Sequence, residues 1–134
     1  MPLFRRAAPD PGKQLRDRLD SAYRAFDAGR WDEAAAELAG AVEAARVVGA
    51  AREELAVWVF DLALTHKFRH DWRAAVSTGL QAAELAPAGQ GEPAWWNLGI
   101  AATALGDWAE ARRAWTAFGI ALPPGEGEIV IAWG

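Results

Sequence analysis

The stretch whose residue types and spacing best suit metal chemistry is His66-Lys67-Phe68-Arg69-His70, where two imidazoles four residues apart share one side of a helix. With Asp61 and Asp71 close in sequence, such a pair can take zinc or nickel, but a catalytic centre needs a third ligand and an open coordination position. The first histidine lacks the adjacent glutamate of helical zinc proteases, and His70 falls where a turn is expected. The reading is therefore a packed His66, a solvated His70 and no metal. Other chemistries fare no better. Carboxylates recur at the spacings of helix surfaces and caps, without an isolated acid/base pair. Glycines stand at the ends of apolar-periodic runs and not in a phosphate-cradling order. Ser21 and Ser77 lie inside alanine-rich runs with no strained turn to raise a nucleophile. There is no cysteine, which removes thiolates, disulfides and cysteine nucleophiles together. The expectation is a protein that is not an enzyme and uses no cofactor.

The 134 residues suit one domain, which at this length buries roughly two-thirds of its unfolded surface. A net charge of −4 and a pI near 5.2 speak against nucleic-acid binding, which needs a concentrated basic face. The basic residues are instead interleaved with acids, as in Arg52-Glu53-Glu54. Trp95-Trp96 could stack on bases, but the acidic balance and a ready core role for Trp95 argue otherwise. No run of about eighteen apolar residues exists, and Met1 to Gln14 holds no apolar stretch of signal-peptide length. The expectation is a soluble, cytoplasmic chain with no membrane partner.

Pro2, Pro9, Pro11 and Gly12 make residues 1–12 a lead segment. Helical periodicity begins at Lys13, through Leu15, Leu19, Ala22, Tyr23 and Phe26, and stops at Gly29. Five more helices follow: Trp31 to about Val48, about Ala51 to Arg69, Trp72 to Leu85 before Pro87, about Pro93 to Leu105, and Trp108 to about Ile120. Asp107 and Glu110 have capping-box spacing at the start of the last. Short connections imply an all-α fold of three antiparallel hairpins, about residues 15–48, 51–87 and 92–123, within a domain spanning 13–123. Each hairpin opens its second helix with a tryptophan. Trp31, Trp72 and Trp108 recur at roughly 41- and 36-residue intervals, near the ~34-residue period of a helical repeat. Each indole is placed to clasp its turn and pack back on the first helix. Small residues at Ala22 and Ala34, Ala63 and Ala75, and Gly99 and Ala111 let the paired helices close together.

The last hairpin resembles a tetratricopeptide repeat, whose pattern is matched by Trp95, Leu98-Gly99, Ala102, Gly106, Trp108, Ala111, Trp115 and Pro123. The middle one matches more loosely through Leu62, Ala63, Trp72, Ala75, Ala82 and Pro87, with His66 and Gly79 where larger apolar residues are usual. The first keeps Ala22, Ala25, Gly29, Trp31, Ala34, Leu38 and Ala41 but lacks the closing proline. The resemblance covers about residues 15–123 and implies hairpins stacked in a short right-handed superhelix. It further implies a concave wall, built mainly from first helices, that grips a peptide or partner helix. The inward positions carried over are Arg16, Leu19, Tyr23 and Phe26, then Val57, Phe60, Leu64 and Lys67, then Trp96, Ile100 and Thr103. Such an apolar and aromatic wall suits an amphipathic helix or extended apolar segment, with Tyr23, Phe60, Leu64 and Trp96 as leading anchors. The same side chains at helical spacing are equally readable as packing. Leu19 and Tyr23 occupy places where relatives that hold a C-terminal carboxylate carry polar residues, which argues against that mode.

Residues 124–134 have too many glycines for helix, while Ile129, Val130, Ile131 and Trp133 favour an extended strand. Its open edges leave three uses: returning to the chain's own groove, pairing with a second copy as a homodimer, or opening a further domain truncated at Gly134. The alternative to peptide binding is accordingly a self-associating module of a larger protein.

Overall fold

The computed structural model describes residues 10–129. Those residues form an all-α architecture of six helices: α1 Pro11–Asp27, α2 Trp31–Val47, α3 Arg52–Phe68, α4 Trp72–Leu85, α5 Glu92–Leu105 and α6 Trp108–Phe118. The first begins earlier than the expected Lys13. Asp10 accepts a hydrogen bond from the Gly12 N–H at 3.0 Å, and Pro11 stands in the first turn, where its missing N–H costs nothing.

One turn closes α1, α3 and α5 alike, and Gly49, at φ 70°, repeats it at the end of α2, where the Ala50 N–H donates to the Ala45 carbonyl at 2.9 Å. Gly29, His70 and Gly106 take left-handed backbone angles, with φ of 73°, 60° and 78°. The following N–H groups, of Arg30, Asp71 and Asp107, donate to the carbonyls of Ala25, His66 and Ala102 at 2.9, 3.0 and 3.0 Å. These bonds satisfy carbonyls left orphaned at the helix end. Arg30, Asp71 and Asp107 then share φ/ψ of −84°/77°, −84°/79° and −83°/84° before the tryptophan that starts the next helix. Asp107 caps the Glu110 N–H at 3.2 Å, as its spacing suggests. The reciprocal half of the capping box is not made, because the Asp107 N–H is already given to Ala102.

Each helix packs against the next in the chain, and α3 also meets α5. The core is rich in alanine and divides into two clusters. One is centred on α1 to α3, with Leu38 and Val59 fully enclosed; the other joins α4, α5 and α6 around Leu98 and Trp115. Ala22, Ala34, Ala63 and Ala75 are buried as expected. Ala111 is fully buried in the second cluster, and the atoms nearest to a side chain at Gly99 belong to Trp115. A Cβ at Gly99 would lie 2.7 Å from the Trp115 ring, so that indole is what its missing side chain accommodates. Counting back from the repeated turn aligns Ala22, Ala63 and Gly99, and counting forward aligns Leu38, Gly79 and Trp115. The largest residue of the second set therefore meets the smallest of the first. Gly79, where a larger side chain is usual, brings α4 close to α5: a Cβ there would touch Leu98 at 3.5 Å.

After α6 the chain runs irregularly to Ile129, and among the described residues no strand forms. Leu122 and Ile129 pack on the second cluster, while the Arg112 side chain donates to the Pro123 and Gly127 carbonyls at 3.0 and 2.9 Å. The strand expected through Val130, Ile131 and Trp133 lies outside the described residues. Among those described, no helix is long and apolar enough to cross a membrane.

Candidate functional site

Counting back from the repeated turn also aligns Leu19, Phe60 and Trp96, and, one helical turn onward, Tyr23, Leu64 and Ile100. The first helices α1, α3 and α5 are joined side to side by two polar rungs. Tyr23 Oη donates to Asp61 Oδ2 at 2.5 Å, linking α1 to α3. Lys67 Nζ donates to Asn97 Oδ1 at 2.7 Å, linking α3 to α5, and Asn97 Nδ2 in turn donates to the Pro93 carbonyl at 2.9 Å.

These rungs change how several expected anchors are read. Tyr23 is half-buried and its hydroxyl is taken up by Asp61, so it joins helices as well as lining them. Lys67 is held in place by Asn97, with its ammonium 5.9 Å from the Phe68 ring centroid; the neutral amide fixes its position and leaves its charge. Phe26 is held edge-on by Trp31 at 5.3 Å and tilted to Phe68 at 6.4 Å. Trp31 reaches both neighbours, lying 4.7 Å from Phe68, and so braces the first hairpin against α3. Trp72 instead stacks on His70 at 5.1 Å, and both Trp72 and Trp108 pack on the second core cluster. Leu19 and Phe60 are half-buried against the first cluster and Ile100 against the second; Leu64 is also half-buried. Thr103 accepts a hydrogen bond from Trp115 Nε1 at 3.1 Å and serves the core.

Arg16, expected on this face, is exposed on α1, and the exposed large apolar side chains of the first helices lie on α3 and α5. Val57 is 55% exposed, Phe68 40% and Trp96 39%, all on α3 and α5. Trp96 stands edge-on to Trp115 at 5.3 Å and beside Phe118 at 5.1 Å, so one face of its indole is supported and the rest is presented. Between the start of α3, the end of α4 and the start of α5 is a cavity of about 610 Å³, lined by Glu53, Val57, Phe60, Ala86, Pro87 and Ala94 among others. Small side chains at Ala56, Ala82 and Ala94 leave this space, and Pro87, Gln90 and Pro93 from the segment between α4 and α5 line it as well.

Burial raises the pKa of Asp61, opposed by the hydrogen bond from Tyr23, and burial together with the same carboxylate raises that of Tyr23. The pair is thus a neutral phenol on a carboxylate, suited to bridging two helices. His66 is shifted down, first by burial and then by the Arg69 guanidinium 3.1 Å from its Nδ1, with Asp71 opposing. His70 is exposed in its turn. Among the described residues no three histidines, aspartates or glutamates converge on a point where a metal could sit.

Asp61 was not among the inward positions deduced from periodicity, although a carboxylate inside Val57-Trp58-Val59-Phe60-Asp61-Leu62 is itself a signal that a buried partner is needed. The cavity has no sequence signal, because its lining comes from three separate helices, α3, α4 and α5, and the segment between the last two. No family model matches the chain, and no curated protein or solved structure matches it.

Proposed function

We propose that the three hairpins are tetratricopeptide-like units stacked in a short superhelix, and that the protein is a non-enzymatic interaction module holding an apolar peptide or helix on α1, α3 and α5. The resemblance of the last hairpin motivates the family reading. The turn repeated at Gly29, His70 and Gly106, and the packing of each helix on its chain neighbour, support it. The observation that carries the function is the placement of exposed apolar side chains. Val57 and Trp96 lie within first helices and Phe68 ends α3, whereas Val47, Val48 and Ile120, the other exposed large apolar residues described, lie at or just past the ends of α2 and α6. Exposed aromatic side chains supported from behind are the usual anchors of polypeptide recognition.

The revised anchors are Phe60, Leu64 and Trp96, with Leu19, Ile100 and the carbon face of Tyr23 extending the wall. Tail-mediated self-association is the less supported reading, since the tail as far as Ile129 is engaged by Arg112 and the chain's own core. The test is calorimetric titration of a selected peptide into the full chain and its variants. Trp96→Ala and Phe60→Ala should each weaken binding about tenfold or more, the range of an interface hot spot. Unchanged affinity in both would remove the wall from consideration.

A further inference from the structure

The cavity at the start of α3 and α5 has an apolar floor and an acidic lip. Its lining residues are apolar except for Glu53 and Gln90, so Glu53 supplies the sole ionisable group. Glu92 immediately precedes the lining residue Pro93, and both glutamates lie in the first turn of their helices. That position suits the helix dipole, but the dipole does not consume a carboxylate's hydrogen-bonding capacity. Among the described residues neither Glu53 nor Glu92 takes part in an ion pair. The nearest cations keep their charge but are directed to neutral acceptors and not to these carboxylates: Arg52 donates to the Glu84 carbonyl, Arg46 to Gln81, and Lys67 to Asn97 at the far end of α3.

The volume of about 610 Å³ falls within the roughly 300–1,000 Å³ of ordinary ligand pockets. Phe60 and the exposed Val57, both on α3, belong to its lining. We propose that this cavity receives a bulky apolar side chain of a partner polypeptide that carries lysine or arginine within two residues of that anchor. The inference rests on the peptide-binding reading above and specifies its partner: the apolar group fills the floor while the cation meets Glu53 and Glu92. An acidic segment would be repelled at the same lip, so charge selects among equally apolar peptides.

The test is a display selection of random nine-residue peptides on the full chain, followed by titration of an enriched synthetic peptide. The expected result is enrichment of phenylalanine, leucine or tryptophan next to lysine or arginine. Affinity for that peptide should fall at least tenfold with Glu53→Lys combined with Glu92→Lys, and also fall with added salt. Both glutamates are exposed, and lysine in a first turn opposes the helix dipole, so a cooperative thermal melt lowered by only a few degrees verifies that this variant folds. Ala86→Leu, which fills the cavity, should block binding without altering the lip charge.

Enrichment of neutral or acidic peptides whose binding depends on Trp96 and Phe60 would overturn this inference while leaving the wall as a binding surface. Enrichment of nothing beyond an unrelated control would overturn both. The chain's own Leu3-Phe4-Arg5-Arg6 has the chemistry in question. If peptides bind only after Phe4→Ser, Arg5→Ser and Arg6→Ser are made in the full chain, the partner is internal and the proposal of a separate polypeptide is overturned.

Discussion

Trp115 lies flat against the position where Gly99 lacks a side chain, and a Cβ there would come within 2.7 Å of two of its ring carbons. The indole is 3% exposed and tied to Thr103, so it has little freedom to retreat. Gly99→Ala should therefore destabilise by about 1–3 kcal/mol despite alanine's better helix propensity. Gly79→Ala is the matched control. Its new methyl would meet Leu98 at an ordinary 3.5 Å, and the expected change runs from neutral to about 1 kcal/mol stabilising. Adding Trp115→Leu to Gly99→Ala recreates the Ala22 and Leu38 combination of the first hairpin and should recover part of the loss. Urea melts of the three variants check the order, and an equal response of Gly79 and Gly99 would refute the packing argument.

The left-handed turn positions give a second prediction. Gly106 has φ of 78° with nothing within 4 Å of its would-be Cβ, so Gly106→Ala isolates backbone strain and should cost about 1 kcal/mol. His70 already bears that strain at φ 60°. His70→Gly relieves it but gives up the stack on Trp72 and gains unfolded-state entropy, leaving a smaller stabilisation of about 0.5 kcal/mol. Thermal melts should move in opposite directions for the two changes.

Tyr23→Phe removes the donor from a half-buried carboxylate and should destabilise by about 1 kcal/mol, low for a bond to a charged group because the pair is half exposed. Asp61→Asn keeps an acceptor for the phenol and should cost less. If the phenylalanine variant matches the wild type in chemical denaturation, the rung contributes nothing to joining α1 and α3.

Two groups should give pH dependences of opposite sign. His66 has a lowered pKa in the folded chain, whereas the unfolded chain protonates it near 6.5. Between those values the unfolded state binds more protons, so stability rises with pH and is lost as pH falls from neutrality through that window. Asp61 has a folded pKa raised above 3.8, so there the folded state binds more protons and its contribution declines as pH rises through its window. Stability relative to His66→Gln should therefore fall on acidification below about pH 7, while stability relative to Asp61→Asn should rise on acidification toward the lower window. Matching pH profiles for wild type and each variant would reject both assignments.

Helix ends were the most legible feature of the sequence, because each is set locally. Glycine or histidine in a left-handed turn, a capping aspartate and a tryptophan at the first helical position mark the second and third hairpins before any tertiary contact is considered. The wall positions were legible as a period but not as chemistry. Helical spacing groups Tyr23 with Leu64 and Ile100, yet nothing local says that Asp61 from another helix will engage its hydroxyl. Lys67 reads as an unanchored surface cation until α5 brings Asn97 within reach. Gly99 is recognisable in the sequence as a close contact, but the fit of the Trp115 ring against it depends on the direction of that side chain, which spacing alone does not give. The cavity depends on the relative placement of three helix ends, and small residues there are indistinguishable in sequence from the alanines that close the core.

Peptide recognition by the first helices is tested most directly by mapping amide and side-chain NMR shifts of the isotopically labelled full chain as a selected peptide is added. Saturable changes should concentrate at Val57, Phe60, Leu64 and Trp96, with the outward faces of α2 and α6 unaffected. Changes centred instead on Val47, Val48 or those outward faces, with α3 and α5 silent, would contradict it.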